Sequence, residues 1–416
     1  MSAVSRQLAL AVAERLLEPG RVMAAIPDAG DAARASGLAG AALLHARLAS
    51  TDRAFELAAV RHWTAAAAHA RRYRPGSAGI FHSHGGLAAS LIIGSGYLPD
   101  PGARQAAGRA ARWLTGRAID LARRYQERRR AGAPGTPWAV YDAISGLAGI
   151  GRMLLAAVAA GHDECEPGLA AALDTLTAMI RTVHPARPGW WLPASGHPPA
   201  VAAHRSGAAA TGMAHGIAGP LALLSAAHAA GRTVAGQPAA IRIAAHWLLR
   251  WHADSGWPPY VTGDELDSAT ASPAPGRRDA WCYGSPGISR ALSMAALALA
   301  DPQLAATADV ALADLAGRAA EHWDADGPTL CHGYAGVLQS TATLRPVIAD
   351  RAAAAVAAGF TPQQPFGFQH HPGQGATSDE PGLLTGAAGI ALALADHGAL
   401  QAPAVPTRWD SVLLLS

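Results

Sequence analysis

The chain has 416 residues, half of them hydrophobic and only 15% charged, a composition that excludes a disordered chain and supplies a large core. With 33 Lys and Arg against 30 Asp and Glu, the net charge of +3 gives no general reason to bind nucleic acid. No apolar run reaches the roughly 18 to 20 residues of a membrane span, and the start from Met1 to Leu17 carries Arg6, Glu14 and Arg15 where a signal peptide needs an apolar core. A soluble cytoplasmic protein without a transmembrane segment is expected. Three cysteines are too few, and of the wrong parity, for a disulfide framework; they suggest thiol chemistry or a metal instead.

One phrase recurs along the chain: a polar residue, Gly, small residues, often a second Gly, then an apolar helical run. In order it reads Ser36-Gly37, His84-Gly85, Ser145-Gly146, His215-Gly216, Tyr283-Gly284, His332-Gly333 and Thr385-Gly386. The first glycines lie 48 to 70 residues apart, room for two helices and their loops per repeat. The intervals supply the second helix, most clearly at Ala107 to Arg130, Gln237 to His252 and Pro302 to Trp323, where apolar residues recur at helical spacing opposite a charged face. The basic run Arg123 to Arg130 is most simply the solvated side of such a helix, with a peptide or membrane-surface patch as the rival reading. No stretch alternates with period two, so strands are at most minor.

Small residues after each Gly allow close helix approach, which places the Gly-led helices on an inner ring and the charged amphipathic helices outside. Seven such hairpins predict an all-α fold, an α/α toroid formed by residues 1–416 as one domain. A linear solenoid competes, but it would not bring the fifth and sixth copies onto a common axis with the third and fourth. The Pro/Gly-rich intervals Pro185 to Gly207 and Pro258 to Gly276 are long loops expected to carry function.

The residue before the first Gly is polar in all seven copies and should face one rim. Helix capping would explain Ser and Thr there but suits His and Tyr poorly. Two of the three cysteines, Cys282 and Cys331, stand two residues before their glycines in adjacent repeats, so the symmetry brings them together, and His332 adds a third ligand. Two thiolates and an imidazole are ligands zinc prefers, and three rather than four leave a position for substrate. The bland alternative is two buried structural cysteines beside a core histidine. Cys165, in a polar stretch, shares no such setting.

Together the Trp281-Cys282-Tyr283-Gly284 and Cys331-His332-Gly333 elements, within seven glycine-led helices from Gly37 to Gly389, resemble the lanthionine cyclases, or LanC-like proteins. The resemblance implies one zinc on Cys282, Cys331 and His332, and closure of thioether rings by adding a precursor-peptide cysteine across dehydroalanine or dehydrobutyrine. It implies His215 as an acid or enolate-orienting group, Asp142 as an aid to thiol deprotonation or a brace for a histidine, Arg278 as a stabiliser of enolate charge, and Tyr283 as a hydrogen-bonding group. Taken singly, these residues have plainer readings: an N-cap for Asp142, a core histidine, a solvated loop arginine and a packing tyrosine. His84 belongs to the polar rim set without a matching role, and His82, His370 and His371 read as loop residues or supports behind the site. No kinase-like or dehydratase-like segment is evident ahead of the repeats, so the resemblance implies a stand-alone cyclase, with a leader-bearing dehydrated peptide and a separate dehydratase as partners.

Other classes fit less well. A related protein could add a different thiol, such as glutathione, through the same zinc site, and a zinc-stabilised binding scaffold would need neither His215 nor Asp142. A toroidal glycosidase requires paired carboxylates, of which only Asp142 is well placed. A prenyltransferase wants an aromatic lipid pocket, and aromatics are 6% of this chain.

Overall fold

The glycine-led runs are apolar on nearly every side, and a helix of that kind is stable only when surrounded. In the computed structural model, which describes all residues except 27–29, 73–78, 183–186, 198–204, 254–255, 271–277 and 374–375, they form the inner ring. Its helices are Asp31–Leu48, Ser83–Gly94, Leu147–Ala159, Ala218–Ala229, Ser285–Leu299, Tyr334–Thr341 and Ala387–His397. Each packs on the next and the seventh packs on the first, so the ring closes and the solenoid reading fails.

The outer ring consists of Arg53–Ala70, Pro101–Arg130, Glu166–Ile180, Gln237–Arg250, Pro302–Gly317 and Pro346–Ala358. Of the three expected charged helices, two have one boundary shifted by more than a turn. The second outer helix starts at Pro101 rather than Ala107, because Asp100 accepts the Gly102 N–H and proline suits the first helical position. The helix expected to reach Trp323 stops at Gly317, and a single 3-10 turn follows at Ala320–His322. Expectation and structure differ most at the seventh repeat. Its outer partner is the N-terminal helix Ser2–Arg15, which packs on Ala387–His397, with Ser5 Oγ 2.8 Å from His397 Nδ1 and the Arg6 guanidinium donating to Gly398 O. The N-terminal helix and the seventh inner helix are thus joined at the point of closure.

The residues after the seventh helix fill the middle of the ring instead of extending its wall. The 3-10 turn Trp409–Leu413 and the residues that follow are buried. Trp281 Nε1 donates to Leu413 O at 2.9 Å, Arg152 to Ser416 O and Ser411 Oγ, and Arg290 to Leu415 O. Trp409 itself is 1% exposed and donates its indole N–H to Asp396 at 2.9 Å. Trp409→Ala should therefore lower unfolding free energy by about 3–5 kcal/mol, read from denaturation midpoints at constant m, since it leaves a large cavity; Asp396 keeps Arg408 and Gln339 as donors, so the cost is one of packing.

Among the described residues strands are confined to two short antiparallel ribbons. Ala208–Ala210 pairs with Tyr260–Thr262, and His370–Gly373 with Ala376–Ser378. The first joins the two long loops singled out from the sequence, parts of which lie outside the described residues. No helix among the described residues is long and apolar enough to cross a membrane.

Candidate active site

At the third, fourth, sixth and seventh inner helices the preceding loop folds back over the helix start. Backbone N–H groups of the first turn donate to carbonyls seven residues earlier, as in Ile217 to Ala210, Tyr334 to Gly327, Ala387 to Glu380 and Gly149 to Asp142. These bonds satisfy donors that a helix N-terminus leaves orphaned. The helix caps are Gly146, Gly284, Gly333 and Gly386, none with a side-chain cap, so Ser145, Tyr283, His332 and Thr385 are released from capping. The fold-back also explains why glycine stands there. Gly284 has φ +105°, and a Cβ would sit 1.5 Å from Arg278 O; at Gly333 it would meet Gly327 O at 2.3 Å.

A belt of backbone hydrogen bonds links these loops around the rim. Ala143 N donates to Ala214 O, Ala214 N to Cys282 O, Cys282 N to Cys331 O and Cys331 N to Leu384 O, at 2.9 to 3.2 Å. The belt holds the third to seventh repeats in register and sets equivalent residues side by side. Cys282, Cys331 and His332 consequently form a cluster whose ligand atoms lie within 4.8 Å of one another, with Cys282 Sγ 3.2 Å from His332 Nδ1.

The electrostatics of the cluster fit a divalent metal. The Cys282 thiol is lowered to about 5, first by the hydrogen bond from Cys331 and then, against the cost of burial, by His332 and the Arg278 charge. Cys331 is pushed well above the ordinary thiol range by that same bond to Cys282 and by burial. The protein alone thus stabilises one thiolate and leaves the second protonated beside it. A cation removes that conflict by letting both ionise, so the donor set suits zinc.

Around the cluster the chain is braced by ion pairs. Asp279 is fully buried and takes Arg318 in a forked pair at 2.8 and 3.0 Å as well as the Asp324 N–H. Arg278 pairs with Asp324 at 3.2 Å and with Asp326, whose N–H donates to His332 O. Its guanidinium is therefore engaged by two carboxylates while its charge still favours thiolate at Cys282.

Asp142 and His215, from the third and fourth repeats, meet on the same rim. Asp142 does not lie in a helical turn; it follows the short helix Trp138–Tyr141 in the fold-back loop. Its Oδ1 accepts the N–H groups of Ser145 at 2.6 Å and Gly146 at 2.8 Å, while Oδ2 meets His215 Nδ1 at 2.6 Å. One carboxylate thus serves both readings, loop cap and histidine brace. Asp142 is 1% exposed and the His215 side chain 31%, so a buried carboxylate braces a partly exposed imidazole through Nδ1. Tyr141 OH donates to His215 O, and the Trp138 ring stacks on the imidazole at 4.6 Å and 17°. Tyr283 is held by Tyr260, whose hydroxyl lies 3.2 Å away, and burial first, then Tyr260, push Tyr283 well above the usual phenol range.

Two copies depart from the expected pattern: Ser36 and Gly37 lie inside the helix Asp31–Leu48 instead of at its start, and His84 is displaced from the rim. The second inner helix starts at Ser83, capped by His82 rather than Gly85, and this moves His84 into the first turn, where its ring lies 6.1 Å from Trp113 of the outer helix Pro101–Arg130. His82 takes the place on the rim, close enough to Asp142 and His215 to feel both, and lines a cavity of about 230 Å³ with Phe81, Glu380 and Leu384. His370, on its ribbon, brings its ring within 6.3 Å of His332, and its buried Nδ1 has no hydrogen-bond partner among the described residues. His370 thus stands where a support behind the site was expected, whereas Trp138 and Tyr260 are not singled out by the sequence. Of those two, only Trp138, four residues before Asp142, has a position that could have suggested it.

A closed toroid of glycine-led helix pairs, with a Cys-Cys-His cluster and a carboxylate-braced histidine on one rim, defines the class of protein. The profile described as lanthionine synthetase C-like protein matches residues 30–414, and the chain belongs to that family. Among solved structures the fold is similar to that of nisin cyclase, with a TM-score of 0.71 and 19% identity over 91% of this chain and 90% of that one. No curated protein sequence matches significantly.

Proposed function

We propose that this chain is a zinc-dependent lanthipeptide cyclase, acting in the cytoplasm as one toroidal domain of residues 1–416. It would add a cysteine thiol of a dehydrated, leader-bearing precursor peptide across dehydroalanine or dehydrobutyrine, after a separate dehydratase has made the acceptor. The observation that carries this reading is the pairing, on one rim, of a three-ligand cluster with the Asp142–His215 dyad. A scaffold needs only the first; thiol addition needs both.

Cys282, Cys331 and His332 would hold the zinc, which when bound supplies a substrate cysteine as thiolate near neutral pH. Bond formation at the β-carbon leaves an enolate, which must take a proton at the α-carbon. His215 holds that proton on Nε2, with Asp142 stabilising the imidazolium through Nδ1 and the Trp138 stack fixing the plane of the ring. Arg278, anchored by its aspartates, keeps positive potential at the sulfurs and toward the developing enolate. Tyr283 stays a neutral phenol and offers a hydrogen bond to the same intermediate. The thiol adds across the double bond without change of mass.

Metal content of the purified protein, paired with thiol-trapping mass spectrometry of a dehydrated cysteine-containing peptide, tests the proposal. One zinc per chain with loss of the trappable thiol at constant mass is the expected result. Zinc without thiol loss would end the cyclase reading for that class of peptide.

A further inference from the structure

The basic run at the end of the second outer helix has no part in the chemistry above, yet it has a built setting. Helix Pro101–Arg130 ends in Arg128, Arg129 and Arg130, and Arg128 and Arg129 line a cavity of about 310 Å³ with Tyr125, Thr136, Arg187 and Trp191. A helix C-terminus favours nearby cations. The cavity, however, contains charge that its own carboxylates do not balance. Arg187 is answered by Asp267 in a forked pair, and Arg123 by Glu127. Arg128 and Arg129 have no carboxylate partner among the described residues. Among the described residues Arg128 reaches only Pro134 O at 3.4 Å, and its Nε, like the Trp191 indole N–H, is buried with no hydrogen-bond partner among them. Arg129 lies 5.8 Å over the Tyr125 ring and Arg187 5.4 Å over Trp191, so flat cations and aromatic faces alternate along the walls.

This cavity flanks the catalytic rim. The chain leaves the helix through Gly132 to Thr136 and arrives directly at Trp138–Tyr141 and Asp142. Thr136 Oγ1 ties it to Gly189 O at 2.8 Å, and beyond Gly189 a bridge from Leu192 to Ala208 joins the ribbon that precedes His215.

We propose that this cavity docks an acidic stretch of the substrate peptide, with Asp or Glu carboxylates on Arg128 and Arg129 and neighbouring apolar side chains against Tyr125 and Trp191. The inference rests on reading the rim as a peptide-modifying site. Guanidinium forks match carboxylates in two-pronged hydrogen bonds, and Arg, Tyr and Trp are the residues that dominate peptide recognition energetically. Anchoring there would raise the local concentration of the reacting segment at the rim without touching the chemistry.

The test is fluorescence anisotropy with a labelled peptide alternating Asp and Leu, compared with its Asn and Lys counterparts, at about 50 and about 300 mM NaCl. The intact protein should bind the Asp peptide at least about tenfold tighter than the Asn peptide at low salt, with the preference shrinking at high salt. Arg128→Glu/Arg129→Glu should reverse it, favouring the Lys peptide, an inversion that a merely structural role would not produce. Equal affinity for Asp and Asn peptides, an unchanged preference in the double variant, or loss of binding without inversion would each overturn the proposal. So would arginine-dependent binding to phosphatidylglycerol vesicles with no Asp preference, which would assign the patch to a membrane surface. Because binding is read without turnover, a chain that binds the Asp peptide but cyclises nothing sinks only the cyclase reading. One that cyclises without the preference sinks only the docking site.

Discussion

Cys282→Ala or Cys331→Ala is expected to strip the protein of its metal and to lower cyclisation at least about a hundredfold in the same preparation. Cys282 and Cys331 are 3% and 7% exposed and supply two of the three ligand atoms of the cluster, so neither holds a cation strongly without the other. Even groups that only support a metal ligand cost 10- to 100-fold when removed, and these are the ligands themselves. Elemental analysis alongside the rate decides the matter: full metal content in Cys282→Ala would mean the ligand set is wrong. Chelation of the intact protein should also lower its melting temperature, because binding energy at a site built by folding is folding energy. The belt bond from Cys282 N to Cys331 O survives either substitution, so the variants should still fold.

His215→Ala is expected to keep its metal and lose about two to four orders of magnitude in rate, the usual worth of a positioned proton donor. Asp142→Asn separates the two duties of the carboxylate. The amide oxygen can still accept from Ser145 and Gly146, but its NH2 cannot accept the Nδ1 proton of His215. Rate should fall by about a hundredfold with little loss of stability. Asp142→Ala forfeits both duties and should add about 1–3 kcal/mol of destabilisation for each buried N–H left unpaired. Single-turnover kinetics with metal analysis and denaturant melts reads all three variants. A His215→Ala rate within about twofold of the intact protein would rule His215 out as the acid.

The repeat and the ligand cluster were legible in the sequence for a physical reason. In the third to seventh repeats the loop over the helix start leaves no room for a Cβ at Gly146, Gly216, Gly284, Gly333 and Gly386, so glycine marks each of these turns, and the two cysteines keep the same offset from that mark. Asp142 and His215 could be singled out by resemblance, but that they touch depends on the belt bond from Ala143 to Ala214, between residues far apart in the chain. The misplacement of His84 has a local cause. The second repeat carries Ser83 at φ 45° and begins its helix before the glycine, so counting back from Gly85 selected a side chain that packs on Trp113 while His82 took the rim.

By itself the sequence determined the all-α composition, the sevenfold period, the inner and outer faces of the helices and the types of ligand available, because each is written in local spacing and side-chain chemistry. The tertiary structure alone decided how the ring closes, with the N-terminal helix serving the last repeat and the C-terminal turn filling the centre. It alone set Trp138 on His215, tied Arg278 to two aspartates, and placed Arg128 and Arg129 in a cavity without carboxylate partners among the described residues. Those arrangements join segments distant along the chain, where period and propensity carry no information and only packing and charge balance choose among partners.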